Sequence, residues 1–378
     1  MGIKVLSVAG ARPNFMKVAP ILRALRARSS FEVRFVNTGQ HYDAALAQVF
    51  FDDLDMPRPD VDLGVGSASH ALQTAEIMRR FEPVLETEQP HVVLVVGDIN
   101  STLACALVAS KFQLAKSFTC RWGQRTRPLI VHVEAGLRSF DPDMPEEVNR
   151  KLTDVLSDLL FVSEPSGVHN LAREGAPDGH VFLVGNVMID SLLAVRAKAE
   201  ESRILETLGL KHQGYAVLTL HRPSNVDSPE ELRDRLSALE PLAARFPLVF
   251  PVHPRTRSRL EGLGFRLEPP RWRPIEPLGY IDFVKLLGSA RVVVTDSGGI
   301  QEETTVLGVP CVTLRENTER PATIEQGTNV LAGTSVEGIR RAIDTATADP
   351  RPSGRRPDLW DGSTAGRIVD VLEEVLKG

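Results

Sequence analysis

Carboxylates and arginines gather where apolar runs stop. Leu129-Ile130-Val131 breaks into His132-Val133-Glu134-Ala135-Gly136-Leu137-Arg138, and Pro145-Glu146-Glu147-Val148-Asn149-Arg150 follows shortly. A third carboxylate, Asp98, emerges after the apolar run Val92–Val96, within Gly97-Asp98-Ile99-Asn100. Taken alone, Asp98 reads as the cap of the next helix. With Glu134 and Glu146 on the same edge, the three can line one pocket and move a proton between opposite faces of a substrate. Arg138 and Arg150 are placed to balance that charge and are candidates to hold the substrate.

A second set suits phosphate. Gly10-Ala11-Arg12-Pro13-Asn14-Phe15-Met16-Lys17 follows the first apolar run, so a glycine turn opens a helix with Arg12 and Lys17 near its N-terminus. Helix starts attract anions because their N–H groups lack partners. An ordinary turn with surface cations is the alternative. Gly-x-Gly-x-x-Gly and Gly-x-x-x-x-Gly-Lys-Ser/Thr are both missing, which argues against nicotinamide and ATP. In the second half His221, His253 and Asp296-Ser297-Gly298-Gly299 each follow an apolar run, and so does Arg315. These read as a nucleotide-facing wall: the backbone at Ser297, Gly298 and Gly299 can approach a diphosphate, and Glu303 can accept ribose hydroxyls. A plain Ser-Gly-Gly helix cap is the other reading. No metal is expected, because His221 and His253 lack a His-x-x-x-His spacing.

Such residues must be carried by a repeating scaffold. Strand-like runs at 5–9, 33–36, 92–96, 129–133, 159–162 and 181–184 alternate with amphipathic helical stretches, and a second series falls at 216–220, 248–252, 292–295, 311–314 and 330–331. Repeated βα implies parallel sheets. The expected fold is α/β, with two Rossmann-like doubly wound domains at 1–186 and 187–362 and the site in the cleft between them. The helical stretch at 363–378 is assigned back to the first. With 378 residues the chain exceeds one ordinary core. A net charge of −5 without basic segregation argues against nucleic acid. No apolar run reaches membrane-spanning length, no signal peptide is evident, and Cys105, Cys120 and Cys311 are unpaired by spacing; a cytoplasmic protein is expected. The stretch 115–128 is longer than a usual connection and, lying before a strand, is expected at the amino edge as a subunit contact or solvated loop.

In order along the chain, Gly-x-Arg-Pro with Lys17, Gly39-Gln40-His41, Gly97-Asp98, His132-Val133-Glu134-Ala135-Gly136-Leu137-Arg138, Pro145-Glu146-Glu147-x-Asn149-Arg150, Ser297-Gly298-Gly299-x-Gln301-Glu302-Glu303 and Thr318-Glu319-Arg320-Pro321 resemble the non-hydrolysing UDP-N-acetylglucosamine 2-epimerases. The resemblance runs nearly end to end and implies a glycosyltransferase-B-like architecture. It implies anti elimination of UDP across C1 and C2 to give 2-acetamidoglucal, then re-addition after protonation on the other face, with no redox cofactor and with closure of the lobes. Asp98, Glu134 and Glu146 would supply acid/base function, joined by His221. Arg12, Lys17, His221, Ser297, Gly298, Glu303 and Arg315 would hold UDP. It further implies a homodimer, and Gln40 and His41 match positions that contact an activating second UDP-N-acetylglucosamine in bacterial members. The following Tyr42-Asp43 departs from the usual Arg-Glu. A hydrolysing epimerase, a glycosyltransferase of the same architecture and a silent sugar-nucleotide sensor are the competing readings.

Overall fold

The computed structural model describes residues 2–40, 51, 53–252, 254–262, 267–348 and 354–377; His41 and His253 lie outside these. The chain divides into two compact units, Met1–Ser191 with Asp358–Gly378, and Leu192–Pro357.

In unit 1, seven strands pair in the order β3-β2-β1-β4-β7-β8-β9. They are β1 (Ile3–Ala9), β2 (Phe31–Asn37), β3 (Val61–Asp62), β4 (Val92–Val96), β7 (Leu129–Val133), β8 (Leu159–Val162) and β9 (Val181–Leu183), and every pairing is parallel. β4 and β7 are buried throughout, as strands covered on both faces must be. One face packs Leu6, Val8, Val93 and Val95 against Ile77, Phe81 and Leu85 of the His70–Glu88 helix. Strand order reverses between β1 and β4, so the chain ends leaving these strands part to either side. A crevice opens at that switch point, outside the carboxyl ends.

Unit 2 repeats the plan with six parallel strands in the order β12-β11-β10-β13-β14-β15. These are β10 (Ala216–Thr219), β11 (Leu248–Pro251), β12 (Trp272–Ile275), β13 (Val292–Thr295), β14 (Cys311–Thr313) and β15 (Asn329–Leu331). Period-two alternation sorts the side chains: Val292 and Val294 pack with the Pro229–Arg245 and Val336–Ala346 helices, while Val293 faces Leu286 and Leu287 of the Tyr280–Gly288 helix. β12 carries Pro274 and is an edge strand, where a missing ladder N–H is tolerated.

Three of the described helices contain internal prolines, Pro20, Pro83 and Pro241, each of which frees the carbonyl four residues earlier. Pro20 leaves the Met16 carbonyl to accept the Ser191 hydroxyl. Pro241 leaves that of Ser237, which accepts from Arg340 at 3.4 Å. The 115–128 stretch proves to be a two-stranded antiparallel hairpin, β5 (Phe118–Cys120) with β6 (Gly123–Arg125). Trp122 stacks on His180 at 4.2 Å, and Arg127 meets Asp158 with two 2.8 Å hydrogen bonds. The Arg121 amide donates to the Val375 carbonyl at 2.8 Å. The hairpin therefore staples the amino edge of this sheet to the Thr364–Lys377 helix.

Beyond β7, Gly136 adopts φ +79°, and a Cβ there would stand 2.4 Å from the Gly167 carbonyl oxygen. Gly136→Ala should lower unit 1 stability by about 1–3 kcal/mol, the usual overpacking cost. Gly366→Ala, with nothing within 4 Å, is the control for a urea unfolding series. Equal midpoints for the two variants would show that the close approach relaxes freely.

Candidate active site

At the carboxyl edge of unit 1, Lys17 and Glu134 form a buried ion pair. Lys17 comes from the second turn of the Arg12–Arg26 helix, whose first turn holds Pro13, and Glu134 stands immediately after β7. Gly97, at φ +67° after β4, provides the space: a Cβ there would lie 2.9 Å from the Lys17 ammonium and 3.2 Å from the Asn14 amide nitrogen. Asn14 donates to the Val96 carbonyl at 3.0 Å, pinning the helix start to the end of β4. Glu134 itself sits at φ +72°. A non-glycine residue pays about 1–2 kcal/mol for that conformation, and such strain concentrates at functional sites.

Asp98 faces Arg150, which donates to it from Nε at 2.9 Å and approaches within 2.8 Å from a terminal nitrogen. Asn149 donates to the Asp98 carbonyl at 2.9 Å. Arg150 also donates to Glu147 at 2.6 Å, and Glu147 accepts from the Ser139 amide and hydroxyl and from the Phe140 amide. Glu146, in the first turn of the Pro145–Leu156 helix, is half-buried and carries no hydrogen bond or ion pair among the described residues. The two adjacent glutamates thus divide: Glu147 is a buried support, whereas Glu146 keeps its carboxylate uncommitted.

Beneath these groups lies a second buried network. His132 is fully buried, with Nδ1 2.6 Å from Asp154 and Nε2 2.8 Å from the Gly97 carbonyl. Asp154 also accepts from the Gly136 amide at 3.1 Å and from Arg138 at 2.7 Å. Burial would raise the Asp154 carboxyl's pKa, but the charges and hydrogen bonds of His132 and Arg138 outweigh it and hold the group below the usual range. Arg138 spends its remaining donors on Glu174 and the Leu137 carbonyl. The structure places Arg138 in this network and Arg150 on Asp98. His132, Asp154 and Glu147 were not singled out as site residues from sequence: His132 and Glu147 stood there only as members of the quoted motifs, and Asp154 only as a polar residue of a helical stretch.

In unit 2, Asp296 is fully buried after β13 and organises the neighbouring turn. It accepts from the Arg222 amide at 2.9 Å, from the His221 amide at 3.0 Å and from Asn225, and it meets His221 Nδ1 at 2.8 Å. Burial pushes its pKa up, yet the His221 hydrogen bond and charge, with the two amides, bring the carboxyl below its ordinary range. The His221 side chain remains 51% exposed, so Asp296 fixes a ring whose other edge reaches solvent. The Gly298–Leu307 helix opens after Ser297, whose side chain makes no cap bond. The absent Gly298 Cβ admits Glu319, whose oxygen would lie 3.0 Å from it. Glu319 pairs with buried Arg315 at 2.7 Å and stands 3.6 Å from Arg222. Desolvation lowers the Arg315 pKa, only partly offset by Glu319. Glu303 accepts from the Tyr280 hydroxyl at 3.0 Å.

The Gln40 side chain accepts from the Ser101 amide and hydroxyl at 3.0 and 2.7 Å, so it caps the Asn100–Lys111 helix. Arg12 begins the helix that carries Lys17. Among the described residues no group of three His, Cys, Asp or Glu side chains is arranged to hold a metal, and no helix is long and apolar enough to cross a membrane.

Two parallel α/β units, one with paired carboxylates and cations at its strand ends and the other with a His-Asp pair and a glycine-opened helix, define an enzyme of the Rossmann-like, glycosyltransferase-B-like class. The family model for UDP-N-acetylglucosamine 2-epimerase matches residues 23–373. The chain belongs to the UDP-N-acetylglucosamine 2-epimerase family. It is 39% identical over 99% of its length to a UDP-N-acetylglucosamine 2-epimerase homolog of Methanococcus maripaludis, spanning 100% of that protein. It is equally 39% identical, over 99% of its length and 100% of the relative, to the UDP-2,3-diacetamido-2,3-dideoxy-D-glucuronate 2-epimerase of Pseudomonas aeruginosa. The solved structure of the Methanocaldococcus jannaschii UDP-GlcNAc 2-epimerase in complex with UDP-GlcNAc and UDP matches with a TM-score of 0.88 and 38% identity, covering 98% of this chain and 99% of that one.

Proposed function

We propose that the protein interconverts UDP-N-acetylglucosamine and UDP-N-acetylmannosamine without hydrolysis. The observation that carries this reading is the grouping, at one sheet's switch point, of a strained buried glutamate paired with lysine and an aspartate paired with arginine. A carboxylate takes the C2 proton; the C1–O bond breaks with its electron pair leaving on UDP; C1 and C2 become doubly bonded. Protonation of C2 from the opposite face and return of the UDP oxygen to C1 complete the inversion. C2 has no neighbouring carbonyl to acidify its proton, so charge developing at C1 and on the diphosphate must be stabilised for the proton to leave. Asp98, Glu134 and Glu146 are assigned the proton chemistry. His221, Arg12, Lys17, the Ser297–Gly299 backbone, Glu303 and Arg315 are assigned to the nucleotide.

Turnover of UDP-N-acetylglucosamine in deuterated water, followed by proton and phosphorus NMR, tests the reading. UDP-N-acetylmannosamine bearing deuterium at C2 is the expected product. Free N-acetylmannosamine with UDP would instead make the enzyme a hydrolysing one. The Pseudomonas aeruginosa relative favours a second reading of the sugar alone, in which the same C2 inversion acts on a diacetamido uronate. We further propose a homodimer, supported by the apolar stripe Val148, Leu152 and Val155 left exposed on the Pro145–Leu156 helix.

A further inference from the structure

Phe140 combines two costs that a chain ordinarily avoids. Its backbone lies in the left-handed region at φ +58°, where a bulky side chain is an outlier, and the residue is 66% exposed to water. Glycine would remove both. The loop does not leave the residue to drift, because the Phe140 amide donates to Glu147 at 3.2 Å and the Ser139 amide and hydroxyl donate to the same carboxylate. Glu147 also receives Arg150, and Arg150 holds Asp98. One buried glutamate therefore fixes both the strained residue and the guanidinium beside a candidate catalytic carboxylate. Phe140 also lies between Glu134 and Glu146 on the loop that leaves the carboxyl end of β7.

We propose that Phe140 is a substrate-covering residue, its ring lying over the apolar C–H face of the sugar and retaining the neutral glycal until UDP adds back. The inference rests on the non-hydrolysing reading above. A glycal carries no charge by which an ion pair could hold it, so its retention depends on apolar contact and on keeping water out. An aromatic ring supplies both at little conformational cost. Strain that persists on a well-anchored loop beside chemistry points to function rather than to packing.

The test uses the whole protein, with Phe140→Gly and Phe140→Leu assayed in deuterated water against UDP-N-acetylglucosamine. For Phe140→Gly we expect an unfolding midpoint equal to or above the parent's, UDP affinity within about twofold, and at least a tenfold rise in UDP released per UDP-N-acetylmannosamine formed. Phe140→Leu should recover part of the lost retention. A parental release ratio in Phe140→Gly overturns the proposal, and so does a lowered midpoint. The same holds if sedimentation shows that the glycine variant loses a dimer while its release ratio stays parental, since the ring then serves a second copy. Absence of C2 deuterium in the parent itself would defeat the epimerase reading instead, and the two failures are thereby distinguished.

Discussion

Glu134→Gln is expected to lower turnover by about 10²–10⁴-fold while leaving UDP affinity within about tenfold, the usual span for loss of a positioned acid or base. Glutamine keeps the shape of the side chain and cannot accept a proton at neutral pH. The variant also leaves the Lys17 ammonium buried without its carboxylate, which costs about 3–5 kcal/mol of stability when a buried pair is broken. Turnover is therefore compared well below the unfolding midpoint. Asp98→Asn should behave alike in turnover, since Arg150 retains Glu147. Isothermal titration with UDP separates the roles: an affinity loss above about tenfold, roughly 1.4 kcal/mol, would move these carboxylates from proton chemistry to nucleotide positioning. Arg12→Ala should show the opposite emphasis, with weakened UDP binding.

Asp154→Asn should destabilise unit 1 by about 3–5 kcal/mol, because it leaves Arg138 and His132 buried with a neutral neighbour where a carboxylate stood. The pH dependence has a definite sign. A carboxyl held below its ordinary value in the folded chain contributes stability above the unfolded pKa and loses it as pH falls through the folded one. The parent should therefore weaken on acidification below about pH 4, near the ordinary value of 3.8. Asp154→Asn should lack that component and show a flatter acid limb in urea unfolding. Parallel acid limbs for the two proteins would mean that Asp154 makes no net contribution to the linkage. Because His132 reaches the Gly97 carbonyl, the variant should also reduce turnover more than it weakens UDP binding.

Much of this arrangement was legible in sequence because parallel strands buried on both faces must be continuous apolar runs. Val92–Val96 and Leu129–Val133 are unmistakable, and the residues that follow them are displayed at the strand ends by geometry alone. Short strands hid. β3 has two residues, and β12 contains Arg273 and Pro274, so neither shows an apolar pattern. The 118–125 hairpin hid for the same reason, being polar at Thr119, Gln124 and Arg125. The change from unit 1 to unit 2 falls within the continuous Val187–Glu201 helix, so no Pro- or Gly-rich linker marks it. The supporting groups were illegible for another reason: His132 and Asp154 are separated by 22 positions, and no periodicity announces that a helix returns one to the other. Identical types in adjacent positions, Glu146 and Glu147, acquire different duties only when the helix phase is known.

Residues 358–378 belong to the same unit as residue 1, and their attachment is specific. Trp360 donates to the Ser163 carbonyl at 2.9 Å, Asp190 accepts the Thr364 and Ala365 amides, and Arg28 meets Asp370 at 2.7 Å. During synthesis, all of unit 2 leaves the ribosome before these contacts can form. Unit 1 thus cannot be completed until all of unit 2 has been made, which departs from the usual order in which the segment made first folds first. A chain cut short before residue 358 would carry all of the second unit and an unfinished first one.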